Sequence, residues 1–302
     1  MMSATGRFAP SPSGDLHIGN LRTAVLAWLW ARQSGRRFVI RVEDIDRVQP
    51  GAAERQLRDL AALGITWDEP PLFQSTRHAA HLAAIETLRE GGYLFECYCS
   101  RRDIAAASAA PHTRPGFYPG TCRDLTESQR REHRERLASL GRRPALRLNP
   151  DVDSFSVDDV LAGTVTEPID AVVLQRGDGT IAYNLVVVVD DEAQGVDQVV
   201  RGDDLLFTAP TQAYIGSLLG FAAPPTYVHV PLVLSESGAR LAKRDGAVTL
   251  TQLGDAGWSS EDVIEAIAGS LGVQARSLEV LGERLDLDAI PRDPWVFHPP
   301  TL

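Results

Sequence analysis

Lysine is nearly missing from this chain: in 302 residues with 30 Lys+Arg, every basic residue but Lys243 is arginine. Arginine presents a rigid planar fork suited to carboxylates and phosphates, whereas lysine is a compact point charge on a flexible stem. Long apolar runs are missing too. Residues 24–31 and 185–189 are among the longest, far short of the ~18–20 residues of a membrane-spanning helix. The opening MMSATGRFAP lacks the charged-then-apolar layout of a secretory leader. No membrane partner and a cytoplasmic location are therefore expected. Cysteine is scarce, and Cys97, Cys99 and Cys122 share one short segment. An odd, clustered set argues against a disulfide framework and toward a metal. Excess positive charge is also lacking: the net charge is −10. Any nucleic-acid contact must then come from a local basic patch.

What is present is ample core, with 44% hydrophobic residues, and a clear periodic pattern. RFAPSPSG (7–14) begins as a strand and breaks into a Pro/Ser/Gly loop. Residues 18–32 carry Leu21, Val25, Leu26, Leu29 and Trp30 at helical spacing. RRFVIRVEDID (36–46) is β-rich, and 52–63 fits a second helix closed by Gly64. Strand–helix–strand–helix at these spacings predicts a βαβ unit with a parallel sheet, and ligands at its carboxyl edge. Between 93 and 147 the texture changes to cysteines, Pro-Gly turns and arginines. The apolar run 183–189 predicts a strand, followed by helices at 209–220 and 259–271 and a Pro-rich tail from Pro291. An insertion splitting one α/β nucleotide-binding fold explains this order. The expected division is 1–92 and 183–248 for the two catalytic halves, 93–182 for the insertion, and 249–302 for a helical C-terminal region.

Two stretches carry anion-binding chemistry. In PSPSGDLHIGN (10–20), His17 precedes a helix start and Gly19 keeps its N-terminus open, where unpaired N–H groups and the helix dipole favour phosphate. In ARLAKRDGA (239–247), which follows a Ser237–Gly238 turn, sits the lone lysine. A compact ammonium suits a moving phosphate clamp. CYCS (97–100) and YPGTC (118–122) supply three thiolates. Tetrahedral zinc needs a fourth ligand, which Tyr118, His112 or a water could provide; imidazole is the commoner donor chemically.

Taken in order, RFAPSPSGDLHIGNLRTA, RVEDID, VVRGDDLL, HVPLVL and LAKRDGA resemble the class I aminoacyl-tRNA synthetases of the glutamyl branch. The resemblance covers roughly residues 6–250. His17-Ile18-Gly19-Asn20 matches the HIGH signature with Asn for the last His, and Arg240–Arg244 matches KMSKS with Arg for the first Lys and Ala242 for Ser. It implies a Rossmann-type catalytic domain with a zinc-bearing, acceptor-binding-like insertion. The chain has no room for an anticodon-binding domain, so it resembles the truncated glutamyl-Q tRNA(Asp) synthetase family. That family activates glutamate with ATP before any tRNA binds, then glutamylates queuosine in the anticodon of tRNA(Asp). Rival readings are a discriminating glutamyl-tRNA synthetase-like enzyme charging tRNA(Glu), a nucleotidyltransferase of the same superfamily, and a non-catalytic RNA-binding paralogue.

The resemblance also implies residues. His17 and Lys243 are the catalytic candidates, with Gly19, Asn20 and Arg244 completing an ATP site that takes Mg²⁺ with its nucleotide. Free glutamate brings an ammonium and two carboxylates. Glu43 suits the ammonium, Arg7 and Arg201 suit carboxylates, and Ser11 and Tyr183 add hydroxyls; Ala9 lies in the same RFAPS stretch. The family's Cys-x-Cys…Tyr-x-x-x-Cys arrangement implies one structural Zn²⁺ per chain on Cys97, Cys99, Tyr118 and Cys122. The missing Ser at Ala242 removes one hydroxyl donor and predicts weaker ATP handling. A monomer is expected. The arginines of 127–140 either track RNA phosphates or pair with Glu127, Glu132 and Glu135 on a solvated helix. His78 and His81 read as helix-surface residues.

Overall fold

Alternation along the first strands sets the layers. In a strand, successive side chains face opposite sides. On β1 (Thr5–Phe8), Gly6 and Phe8 face α1 (Ile18–Gln33), while Arg7 faces away; on β2 (Arg37–Val42), Phe38 and Ile40 join the α1 core and Arg41 opposes it. The computed structural model describes residues 4–100, 102–104, 117–239, 241 and 248–299. β1 and β2 pair in parallel, with α1 as the crossover. Then α2 (Ala52–Ala62), β3 (Leu72–Phe73) and α3 (His78–Glu90) follow. Gly64 takes a left-handed φ of 84° just past α2, as its place after the helical pattern predicts.

The chain next builds a three-stranded sheet from β4 (Leu94–Cys97), β5 (Ala145–Leu148) and β8 (Val173–Gln175), with α4 (Glu127–Ser139) between β4 and β5. β6 (Ser154–Asp159) and β7 (Gly163–Pro168) form a hairpin from the same segment, yet they join the edge of the main sheet. The main sheet is completed by β9 (Val196–Gly202) and β10 (Thr226–Val230). Its order is β3-β2-β1-β9-β10-β6-β7, and every neighbour pair except β6–β7 is parallel. The order reverses between β1 and β9, the position at which open α/β sheets hold their ligands.

Residues 183–189, expected as a strand, begin the helix α5 (Tyr183–Ala193). A run of four valines satisfies either period, so the acidic pair that follows decides. A strand would send Asp190 and Asp191 to opposite faces; the helix buries both. Asp190 accepts from Gln74 and His81 at 3.0 Å, and Asp191 takes Arg41 and Arg7. His81 is therefore 1% exposed, not a surface residue.

The helix α6 (Ala209–Leu218) packs with α5 on one face of the sheet. On the other face, α1 meets the C-terminal helices α7 (Leu250–Asp255), α8 (Ser260–Gly269) and α9 (Leu278–Arg284) in the largest apolar cluster. The Pro-rich tail is pinned: β12 (Trp295–Val296) pairs with β11 (Val233–Leu234), and Phe297 is buried. Among the described residues, no helix is long and apolar enough to cross a membrane.

Candidate functional site

At the carboxyl ends of β1, β2 and β9 lies a cleft of about 820 Å³. The loop after β1 lines it with Ala9, Pro10 and Ser11; the start of α1 adds His17, Gly19 and Asn20. Glu43 follows the end of β2, Tyr183 opens α5, Arg201 is the penultimate residue of β9, and all three face the same space. Leu241 also lines it. Lys243 and Arg244, with Arg240 and Ala242, lie outside the described residues, as does His112.

His17 is the N-cap of α1. Its Nδ1 accepts from the N–H groups of Gly19 at 3.1 Å and Asn20 at 3.3 Å. A neutral ring accepting at Nδ1 carries its proton on Nε2. Asn20 returns the contact, its Oδ1 accepting from the His17 N–H at 3.3 Å. This reciprocal capping box explains the asparagine where the family signature has histidine: an amide suits the third helical position of a cap. A Cβ on Gly19 would stand 3.0 Å from the His17 ring and 3.4 Å from Val233.

Behind the cleft is a buried charge cluster in which Arg7 and Glu43 meet two residues that the sequence did not single out, Arg41 and Asp191. Arg41, with no exposed surface, places Nη1 2.5 Å from Asp191 Oδ1 and Nη2 3.4 Å from Glu43 Oε1. Arg7 donates to Asp191 at 3.3 Å and to the Val200 carbonyl at 3.4 Å. Arg7 is thus not among the cleft-lining residues; it sits beneath them with Asp191 as its partner. Burial opposes the charge of Asp191, but the two arginines outweigh it and hold the carboxyl below its ordinary range. At Glu43 burial wins and raises the carboxyl above its ordinary value, with Arg41 and Arg7 pulling against it. Arg41 was visible inside RVEDID, on β2 two residues before Glu43, which follows the strand's end, and Asp191 in the acidic pair after the valine run. Only the packing reveals that they meet.

Arg201 is different. It donates to His229 Nε2 at 3.0 Å, Gln212 Oε1 at 2.8 Å, Thr208 Oγ1 at 3.3 Å and the Leu205 carbonyl at 3.4 Å. Its Cζ stands 5.7 Å from the centroid of the Tyr227 ring.

In the smaller sheet's core, the three thiol sulfurs lie within 4.8 Å of one another. The Tyr118 hydroxyl joins them, 3.5 Å from Cys97 Sγ and 3.9 Å from Cys99 Sγ, and it accepts the Cys122 N–H at 2.9 Å. Three soft sulfurs and a phenol oxygen around one point fit a tetrahedral metal. Arg147 lies over the Tyr118 ring at 4.0 Å. On α4, Arg134 pairs with Glu96 and Glu127 at 2.7 Å, and Arg130 binds the carbonyls of Leu125 and Arg123. Part of that helix's charge is thus used within the chain.

Residues 4–287 match the family model described as tRNA synthetases class I (E and Q), catalytic domain. The chain is 56% identical over 296 residues to the "Glutamyl-Q tRNA(Asp) synthetase" of Nocardia farcinica, covering 98% of this chain and 94% of that protein. Against the protein of the same name from Symbiobacterium thermophilum the identity is 44%, over 96% of this chain and 94% of the relative. A crystal structure of the glutamate-tRNA synthetase from Elizabethkingia anophelis superposes with a TM-score of 0.83 at 23% identity, over 98% of this chain and 68% of that one. The chain belongs to the class I (E and Q) tRNA synthetases, in the family of the glutamyl-Q tRNA(Asp) synthetases.

Proposed function

We propose that this chain activates L-glutamate with ATP, without tRNA, and then transfers the glutamate to queuosine in the anticodon of tRNA(Asp). The carrying observation is one cleft at the sheet's switch point in which Glu43, Arg201 and the His17-capped helix start face each other. An ammonium partner, a carboxylate partner and a phosphate partner in one space match a free amino acid beside ATP.

In the first step a substrate carboxylate oxygen attacks the α-phosphorus of ATP. The new P–O bond forms as the bond to the β-phosphate bridge breaks, releasing pyrophosphate and leaving glutamyl-adenylate. No enzyme nucleophile is required, so the protein contributes positioning and charge stabilisation. Glu43 holds the ammonium, while Arg201, with Tyr183 and Ser11, orients carboxylate oxygens, Arg7 acting from beneath. Ala9 gives the loop close approach. His17, with Gly19 and Asn20, contacts the phosphates, and Lys243 with Arg244 neutralises charge on the departing pyrophosphate. ATP arrives with Mg²⁺. In the second step a hydroxyl of queuosine attacks the activated carbonyl and AMP leaves.

We assign one Zn²⁺ to Cys97, Cys99, Cys122 and Tyr118, where it would fasten residues 93–182 as a structural clamp. This insertion serves the tRNA, with residues 1–92 and 183–248 forming the catalytic halves and 249–302 a helical end. The enzyme acts as a cytoplasmic monomer.

Glutamate-dependent ATP–pyrophosphate exchange in the absence of tRNA tests the first step. No exchange by purified enzyme sinks the catalytic reading. Labelling of tRNA(Asp) only when it carries queuosine supports the acceptor; labelling of tRNA(Glu) instead overturns it.

A further inference from the structure

Arg201 is held in place by acceptors that leave its charge intact. The four partners named above, an imidazole nitrogen, an amide oxygen, a hydroxyl and a carbonyl, are all uncharged or carry only a dipole. Arg7 and Arg41, by contrast, lean on Asp191. A guanidinium has no acceptor capacity, so His229 must offer a lone pair at Nε2 to the Arg201 Nε–H. The proton of that neutral ring is then on Nδ1, which stands 2.7 Å from Asp159 Oδ2.

Asp159 is itself locked. Its Oδ2 accepts the His229 backbone N–H at 2.9 Å, and its Oδ1 accepts Leu161 N–H at 2.9 Å and Ala162 N–H at 2.8 Å. It is 4% exposed and ends β6, a strand drawn from between the zinc-type cluster and α5. His229 sits on β10, 3% exposed, opposite Arg201 in the β9–β10 register. A carboxylate fixed by three amides thus orients an imidazole, and the imidazole orients the guanidinium.

We propose that Asp159 and His229 are positioning residues that hold Arg201 oriented but not neutralised, ready for a carboxylate of the amino-acid substrate. The proposal rests on the reading of Arg201 as a glutamate-binding residue. Had a carboxylate contacted Arg201 directly, it would have competed with the substrate. Interposing a neutral imidazole fixes the fork and keeps its full charge for the ligand. Loss of one hydrogen bond to a charged group is worth about 10-fold or more in binding.

The test is pyrophosphate exchange by the full-length enzyme with glutamate and ATP varied separately. His229→Phe, which keeps a ring but removes both bonds, should raise KM for glutamate about 10-fold and leave KM for ATP within about twofold. His229→Gln, whose amide can accept from Arg201 and donate to Asp159, should stay close to wild type. Asp159→Asn, which keeps the volume and loses the charge, should move KM for glutamate in the same sense as His229→Phe and serves if that variant fails to fold. An unchanged KM for glutamate in both His229→Phe and Asp159→Asn, equal effects on both substrates, or identical behaviour of His229→Gln and His229→Phe would overturn the proposal. Arg201→Lys separates the two readings. If it raises KM for glutamate while the His229 and Asp159 variants do not, only the positioning role falls. If it too leaves KM unchanged, the glutamate-binding reading of Arg201 falls with it.

Discussion

Glu43 faces the cleft with two arginines behind it, and burial still raises its carboxyl above the ordinary range. A buried carboxylate of this kind is waiting for a cation. As pH falls toward its raised value, Glu43 takes up a proton and would lose the proposed attraction for the substrate ammonium. KM for glutamate should therefore climb on acidification, starting at a higher pH than that at which an ordinary glutamate takes up its proton. Glu43→Gln should raise KM at neutral pH by about 10-fold and flatten that climb. The stability sign is opposite. Ionisation of Glu43 is disfavoured in the fold, a cost present above its folded value and absent below its unfolded one. The glutamine variant should melt no lower than wild type near neutral pH, which distinguishes lost binding from misfolding; a lower melting temperature with unchanged KM would refute the assignment.

Lys243 stands apart by composition. Lysine survives at one position in a chain otherwise purged of it. A compact ammonium can follow a leaving pyrophosphate where a broad fork cannot. Lys243→Arg should reduce pyrophosphate exchange more than any other lysine–arginine exchange in the chain. Near wild-type exchange would show that charge alone suffices.

At the scale of elements, β1 and α1 approach closely because Gly6 has no side chain. A Cβ there would lie 2.8 Å from Ala31 Cβ and 3.1 Å from Gln198 Oε1. Gly6→Ala must push α1 off the sheet, an overpacking that costs about 1–3 kcal/mol. Thermal melting should fall by several degrees, and an unchanged melting temperature would mean the helix shifts freely. Elements of this first half were legible for separate reasons: α2 has one apolar stripe, α1 is a long apolar stretch that starts at the His17 cap and ends just before Gly35, and β1 and β2 are short and bounded by turns. The helix α5 was not legible. Its valines carry no period of their own, and the need to bury Asp190 and Asp191 against His81, Gln74, Arg41 and Arg7 exists only in three dimensions.

For the whole molecule, the cysteine cluster lies in a small core of its own, with Phe95, Tyr98, Leu137 and Ala171. The apolar residues lining the cleft belong to other clusters: Phe8, Leu16, Val233 and Leu241 to the one around α1, Ile181 and Val186 to the one around α5. Cys122→Ser should abolish a stoichiometric zinc while leaving glutamate-dependent exchange largely intact. Retention of one zinc per chain would remove Cys122 from the ligand set. The C-terminal region is joined more tightly. Arg22 of α1 donates to the Pro231 carbonyl at 2.8 Å and to Ser270 at 3.0 Å, and the tail's β12 adds to β11. The segment leading into residues 240–247 is thus braced by both α1 and the tail.

The parallel α/β core, the helix start at His17, the cysteine cluster and most cleft-lining candidates were legible in the order of the residues. These are local signals: hydrophobic period, turn chemistry and spacing within one segment. Which charges meet is set by the packing of distant segments. Arg7 and Arg201 read alike in sequence, yet Arg7 is paired with Asp191 whereas Arg201 is oriented through His229 by Asp159, 42 positions away from it along the chain. The strands that bring β6, β10 and β9 side by side create that difference, because a charge's state depends on neighbours that sequence distance does not reveal.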